Sequence, residues 1–267
     1  MVSTPIGNMG DMSFRAVEIL SSAALVVAED TRHSRRLLDH YEIETKCAAY
    51  HEHNEAREAP RLVHRMLEGE SIALITDAGT PLLSDPGSRL VGAAIEAGID
   101  VVPVPGASAL LAALVASGIA GEHFTFFGFL PRKGKDRLKV LSELMRLEHT
   151  AVIYESPLRV ADTLEEIAAA GAGNRSAVVA RELTKKFEEF ARGTVAELAS
   201  RYADNPARGE VVILIAGAAQ VPVDEATLGR IAGELHAQGG APREIMETLM
   251  RDHGASRNLA YRLAHKE

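Results

Sequence analysis

Ser71-Ile72-Ala73-Leu74-Ile75-Thr76-Asp77-Ala78-Gly79-Thr80-Pro81 decides how this chain is read. An unbroken apolar run of strand length passes directly into a turn of small residues with one carboxylate. A strand that is apolar throughout is buried on both faces, and in open α/β sheets ligands lie beyond the carboxyl ends of such strands. The turn holds no lysine and no glycine-rich nest opening a helix, so it does not have the makings of a phosphate cradle. Small side chains and exposed backbone suit a flat, neutral-to-cationic ligand instead.

Comparable runs at 25–28, 99–104, 124–129, 151–155, 176–181 and 210–216 alternate with helix-period segments near 13–22, 32–40, 57–68, 87–97, 107–117, 135–147, 157–170 and 195–203. This alternation predicts an α/β protein with largely parallel sheets. Asp11 is expected to cap the first helix, Ser156 and Pro157 to open another, and Thr194 with Glu197 to form a capping box. Small residues around Gly118 and Gly121 separate an amino-terminal α/β lobe, 1–120, from a second, 121–219. The stretch 217–222 reads as a linker. Beyond it no strand pattern recurs, and 222–267 reads as a helical, helix-turn-helix-like tail with helices over 225–238, 242–253 and 257–265.

Composition narrows the function. The chain has 267 residues, 29 Lys+Arg against 37 Asp+Glu, and a formal charge of −8. Any polyanionic partner must therefore meet a local basic patch. Cys47, the only cysteine, excludes an internal disulfide and a multi-cysteine zinc site and fits a reducing cytoplasm. His33, His51 and His53 lack metal-ligand spacing, so no metal site is expected. The uncharged stretch 101–121 is broken by Pro103, Pro105 and Gly106. Its remaining helix covers about 16 Å, half of the ~30 Å hydrocarbon layer, and reads as buried rather than spanning. Met1 to Pro5 show no signal-peptide pattern.

Polar residues gather at predicted strand ends. They include Ser3 to Asn8, Glu29 to Arg36, the Thr76–Gly87 turn, Pro103 to Ala109, Tyr154 to Arg159 and Ala180 to Lys185. Glu155 and Glu182 would be costly beside an apolar core unless paired or facing a cleft. Arg132, Lys133, Lys135 and Arg137 form a basic run, and with Arg35 and Arg36 they make a candidate phosphate-contacting surface.

Five motifs stand in order along the chain: Thr4-Pro5-Ile6-Gly7-Asn8, Glu29-Asp30-Thr31-Arg32, Asp77-Ala78-Gly79-Thr80-Pro81, Tyr154-Glu155-Ser156-Pro157 and Arg181-Glu182-Leu183-Thr184. Together they resemble the ribosomal RNA small subunit methyltransferase I family of the tetrapyrrole-methylase fold superfamily, over essentially the whole chain. The family's members usually carry several more apolar residues before the first motif, where this chain has Met1, Val2 and Ser3. The resemblance implies two α/β lobes with S-adenosylmethionine in the cleft between them, within a homodimer. It further implies methyl transfer to the ribose 2′-oxygen of a cytidine in the decoding region of 16S rRNA, in the small ribosomal subunit. By the same resemblance the cofactor loops fall on Pro5, Gly7, Asp77, Gly79, Thr80, Pro81, Leu83, Ser108, Ala109, Tyr154, Glu155, Val211, Val212 and Ile213. Ala180 and Arg181 border them.

A sulfonium methyl is already electrophilic, so the protein's task is to position the hydroxyl and take its proton. Asp30, Asp77, Glu155 and Glu182 are the candidate carboxylates. Asp30 or Glu182 is favoured on the substrate side, with Arg32 and Arg181 orienting phosphate or carboxylate. Two rivals remain. One is a tetrapyrrole (corrinoid) carbon methyltransferase or a protein methylase of the same fold, against which Gly79-Thr80-Pro81 replaces the Gly-Asp-Pro expected of corrinoid enzymes. The other is a non-catalytic nucleic-acid regulator acting through the tail.

Overall fold

The computed structural model describes residues 1–218 and 224–265. Part of the predicted linker, 219–222, and the end of the tail, 266 and 267, lie outside them. The chain divides into two compact units, Met1–Gly217 and Ala218–Glu267.

The first unit opens with α1 (Phe14–Ser22), β1 (Leu25–Ala28), α2 (Thr31–His40), β2 (Cys47–Ala49), α3 (Glu55–Leu67), β3 (Ile72–Leu74), α4 (Ser88–Glu96) and α5 (Ala109–Ser117). It continues with β4 (Phe124–Phe129), α6 (Lys135–Arg146), β5 (Thr150–Glu155), α7 (Val160–Ile167), β6 (Ser176–Arg181), β7 (Glu189–Thr194), α8 (Val195–Asp204) and β8 (Val211–Ile215). The first three strands form a parallel sheet in the order β2-β1-β3. The last five form a sheet ordered β4-β5-β8-β6-β7.

That second sheet departs from the parallel expectation. Only β4 and β5 run parallel; β8 is antiparallel to both of its neighbours, and β7 pairs antiparallel with β6. An apolar run reports burial of both faces and carries no information on strand direction. The sequence pattern does not predict β7, because Glu189, Arg192 and Gly193 interrupt it. As an edge strand it needs only one apolar face.

Alternation along the central strands divides the core in two. Ala151, Ile153, Ala177, Val179, Ile213 and Ile215 face a layer that includes Leu141, Leu144, Leu164, Ile167 and Leu198. Val152, Val178, Val212 and Leu214 face the other way, onto Ile6 and the Leu110, Ala113 and Leu114 side of α5. The helix expected to close the first lobe is thus packed on the second sheet.

The predicted strand 99–104 is reduced to one parallel bridge between Val104 and Val2. Pro103 and Pro105 donate no hydrogen bond, and the partner segment is only a few residues long. Local caps vary in the same way. Ser13, not Asp11, caps α1, its Oγ accepting from Ala16 N–H at 3.1 Å. Ser156 makes no side-chain cap, and Pro157–Arg159 form a 3₁₀ turn before α7. Thr194 and Glu197 form the expected capping box.

The second unit contains α9 (Glu225–Ala237), α10 (Pro242–His253) and α11 (Arg257–Ala264), close to the predicted bounds. Leu228, Ile245, Leu249 and Leu263 form its core. Gly254 ends α10 with φ of 64°, a left-handed cap that glycine adopts without strain. No described helix is long and apolar enough to cross a membrane.

Leu214 is fully buried at the centre of the second sheet. Leu214→Ala is expected to cost about 2–5 kcal/mol of unfolding free energy, read from urea denaturation of the parent and variant.

Candidate active site

A cleft of about 480 Å³ lies at one edge of both sheets. Glu29 follows β1, the Asp77–Thr80 turn follows β3, and Phe129 and Tyr154–Pro157 come from the carboxyl ends of β4 and β5. Because β8 runs antiparallel, its amino end (Gly209 to Val212) arrives at the same edge. Its volume is that of an ordinary small-molecule site.

The turn that forms its floor is tied from behind. Thr4 and Gly79 exchange two backbone hydrogen bonds, at 2.9 and 3.1 Å. Thr4 Oγ1 donates to the Thr76 carbonyl at 3.1 Å. Ser3 Oγ donates to Thr80 Oγ1, which donates onward to the Ala107 carbonyl, each at 3.1 Å. Gly79 has φ of +85°, and a Cβ there would lie 3.2 Å from Ile6 Cγ2. Leu82 and Ser84 beyond this turn, and Glu182 and Thr184 after β6, also have positive φ without being glycine. Such strain persists only where surrounding structure imposes it, and it concentrates at functional loops.

The lining combines aromatic and acidic side chains. Tyr154 packs edge-on against Phe126 and Phe129, with ring centroids 4.8 and 5.7 Å away. Its hydroxyl accepts the Leu110 N–H at 3.1 Å, and burial pushes the phenol up. Glu29, Asp77 and Asp85 also line the cleft. Burial raises the Asp85 carboxyl, with repulsion from Asp77 adding to it. Burial likewise raises Glu29, followed by repulsion from Asp77 and Asp85. Their mutual repulsion would be eased by a positively charged occupant of the cleft.

Of the expected cofactor residues, Asp77, Gly79, Thr80, Leu83, Ala109, Tyr154, Val211 and Val212 line the cleft, as does Glu155. Others stand elsewhere. Pro5 and Gly7 line a neighbouring recess of about 240 Å³, which shares Ile6, Asp77, Ala78 and Glu210 with the cleft. Pro81 is buried outside the lining. Ser108 caps α5, accepting from Leu111 N–H. Ala180 and Ile213 are wholly buried within the sheet. Arg181 faces away, paired with Glu189 at 2.6 Å.

The carboxylates singled out as bases are engaged. Asp30 caps α2, accepting from the Arg32 N–H at 2.8 Å and from His33 N–H; those bonds hold its carboxyl low. Arg32 beside it is almost fully exposed. Burial acts to raise Glu182, but Lys185 Nζ at 3.0 Å and the Glu210 N–H outweigh it, leaving the carboxyl low. Glu155 is fully enclosed. Its Oε1 accepts from Ser156 N–H and Arg159 Nε, and its Oε2 accepts from Thr163 Oγ1 at 2.8 Å.

Arg137 belongs to the same network, donating to Glu166, Thr163 and the Pro131 carbonyl, and is 6% exposed. The expectation that it meets RNA is corrected, because its guanidinium is used up inside the protein. Arg132, Lys133 and Lys135 are exposed; Arg35 pairs with Asp39, and Arg36 lines the neighbouring recess. Among the described residues no group of three or more His, Cys, Asp or Glu side chains is placed to hold a metal ion.

Sequence reasoning misses Phe129, Gly209 and Glu210. Phe129 ends an apolar strand and gives no polar signal. Gly209 and Glu210 reach the cleft only because β8 is antiparallel.

The fold and cleft define a methylase of the tetrapyrrole-methylase type. A family model described as Tetrapyrrole (Corrin/Porphyrin) Methylases matches residues 1–199. Solved structures agree in fold: a cobalt precorrin-4 methyltransferase superposes with a TM-score of 0.59 at 20% identity over 80% of this chain and 94% of its own. A diphthine synthase gives 0.61 at 13% identity, covering 81% of this chain and 90% of its own. A protein of Mesorhizobium japonicum named ribosomal RNA small subunit methyltransferase I is 47% identical over 98% of this chain and 90% of its own length. One of the same name from Xylella fastidiosa is 46% identical over 98% and 96%. The chain belongs to the ribosomal RNA small subunit methyltransferase I family.

A carboxyl whose folded pKa is raised weakens the fold as pH rises through that value and has no effect where it is protonated in both states. Asp85→Asn is therefore expected to raise the melting temperature relative to the parent near pH 7 and to leave it unchanged near about pH 3, as thermal melts across this range will show.

Proposed function

We propose that this chain transfers the methyl group of S-adenosylmethionine to the ribose 2′-oxygen of a cytidine in the decoding region of small-subunit (16S) rRNA, as a cytoplasmic homodimer. One observation carries the reading. A cleft with acidic and aromatic lining and a backbone-rich turn occurs in a chain 46–47% identical, over 98% of its length, to proteins named for methylating that rRNA. The solved neighbours that act on other substrates are only 13–20% identical and support the fold alone.

The residues present suit the cofactor. Glu29 and Asp85 favour a positive sulfonium, Phe129 and Tyr154 offer aromatic surface to a nucleoside, and Gly79 leaves the turn open. When bound, S-adenosylmethionine supplies the electrophilic methyl. What remains for the protein is to place the hydroxyl and remove its proton.

Asp77 is the residue best placed for that proton. It lines both the cleft and the neighbouring recess, and its Oδ1 accepts only the Asp30 N–H, at 3.2 Å, among the described residues. Asp30 and Glu182 then act as supports, Asp30 by capping α2 beside Asp77 and Glu182 by holding Lys185 and the Gly209–Glu210 segment. Exposed Arg132, Lys133 and Lys135, with Arg35 and Arg36, meet RNA phosphates. The exposed Leu111 and Val115, one turn apart on α5, supply apolar surface for a second copy.

The direct test offers tritiated S-adenosylmethionine, in parallel, to small ribosomal subunits, free rRNA and a porphyrinoid. Label is expected in the rRNA; label confined to the porphyrinoid would overturn the reading. Asp77→Asn should lower kcat about 100-fold or more with calorimetric cofactor affinity retained, whereas Asp30→Asn and Glu182→Gln should keep most of it. Replacing Arg132, Lys133 and Lys135 together by Ala should reduce the salt slope of RNA binding by about 2–3 units and leave cofactor binding unchanged.

A further inference from the structure

A second recess of about 410 Å³ lies where β6 ends and the loop from α8 to β8 begins. Three guanidiniums border it: those of Arg181, Arg201 and Arg208. Glu189 stands between two of them, one carboxylate oxygen 2.6 Å from Arg181 Nε and the other bonded to Arg201. Arg208 is exposed and pairs with no carboxylate among the described residues. With Asp204 counted against them, the cations exceed the anions by one.

Tyr202 is the independent sign of a ligand. The residue is 4% exposed, yet its hydroxyl has no hydrogen-bond partner among the described residues. Leaving a buried hydroxyl unpaired is costly unless a ligand meets it. Burial, then Glu189, push its phenol up, so near neutrality it keeps its proton and remains a donor, and the Arg201 guanidinium carbon lies 5.8 Å from its ring centroid. Neutral donor and guanidiniums together match an anion with several acceptor oxygens, and guanidiniums bind phosphate in paired fashion.

The location says which phosphate. Arg208 is followed directly by Gly209 and Glu210, which form the cleft wall, and Glu182, next to Arg181, hydrogen-bonds Glu210 from both its amide and its carboxylate. The recess and the cleft are thus two sides of one short stretch of chain. This places the recess within reach of the backbone that flanks a nucleotide held in the cleft. We infer that Arg181, Arg201, Arg208 and the Tyr202 hydroxyl form a seat for a phosphodiester of the substrate RNA adjacent to the methylated nucleotide. This rests on the function proposed above. The recess also explains why Arg181 lies outside the cofactor cleft.

The test is binding of a fluorescein-labelled single-stranded oligoribonucleotide from the decoding region, followed by anisotropy over a range of salt, alongside cofactor calorimetry and methyl transfer. Arg208→Ala is expected to weaken the oligonucleotide several-fold and reduce the salt slope by about one unit. Tyr202→Phe removes only an unpartnered hydroxyl, so the fold survives. It should weaken the oligonucleotide with no change of slope, an effect that a purely structural tyrosine would not produce. Both variants should bind S-adenosylmethionine as the parent does. An unchanged slope in Arg208→Ala, or an unchanged affinity in Tyr202→Phe, overturns the inference. If the parent methylates no small-subunit RNA while both effects on binding persist, the proposed activity falls and the phosphate seat stands.

Discussion

Antiparallel insertion of β8 between β5 and β6 is the constraint on which the rest of this molecule depends. All five residues of β8 are buried, alternately against α6–α8 and against α5. Two consequences follow from that single strand. One of its apolar faces packs on α5, so the helix that follows the first sheet in the chain is tied to the second. Its direction brings Gly209 and Glu210 to the edge where the carboxyl ends of β4 and β5 lie. A parallel β8 would have left the cleft without one wall.

Around that frame, polar groups divide into those that hold and those that are left to act. Glu155, Arg159, Thr163, Arg137 and Glu166 satisfy one another in a continuous network that reaches the cleft at Glu155. Removing one member of such a network leaves a buried charge uncompensated, which is why they are structural before they are anything else. Glu29, Asp77 and Asp85 are arranged differently. They face a shared space, repel one another and gain from a positively charged occupant. The Thr76–Pro81 turn between these groups is held by hydrogen bonds to Ser3, Thr4 and Ala107.

Much of the site is legible in the amino-acid sequence. Asp77, Gly79 and Thr80 stand in a turn of small and polar residues at the end of an apolar run, Tyr154 stands at another strand end, the family resemblance adds Leu83, and all five line the cleft. The same logic draws in Asp30 and Glu182, yet each is engaged by nearby backbone or by Lys185. Arg137 looks like one more charge in a basic run. Its place on the inward side of α6 is set by Thr163 and Glu166, 26 and 29 residues further along the chain. No local pattern separates it from Lys135.

The sequence by itself determined the helices, most of the strands, the helical tail and the turn after β3, though not β2, β7 or the reduction of 99–104 to a single bridge, because short-range rules of periodicity, capping and backbone freedom set the former. Tertiary structure alone decided strand direction in the second sheet, the attachment of α5 to it, and which carboxylates are free and which are engaged. These depend on contacts between residues far apart in the chain. A run of valines and isoleucines is equally content beside a parallel or an antiparallel neighbour, and a carboxylate's role is set by whichever donor the fold places within about 3 Å of it.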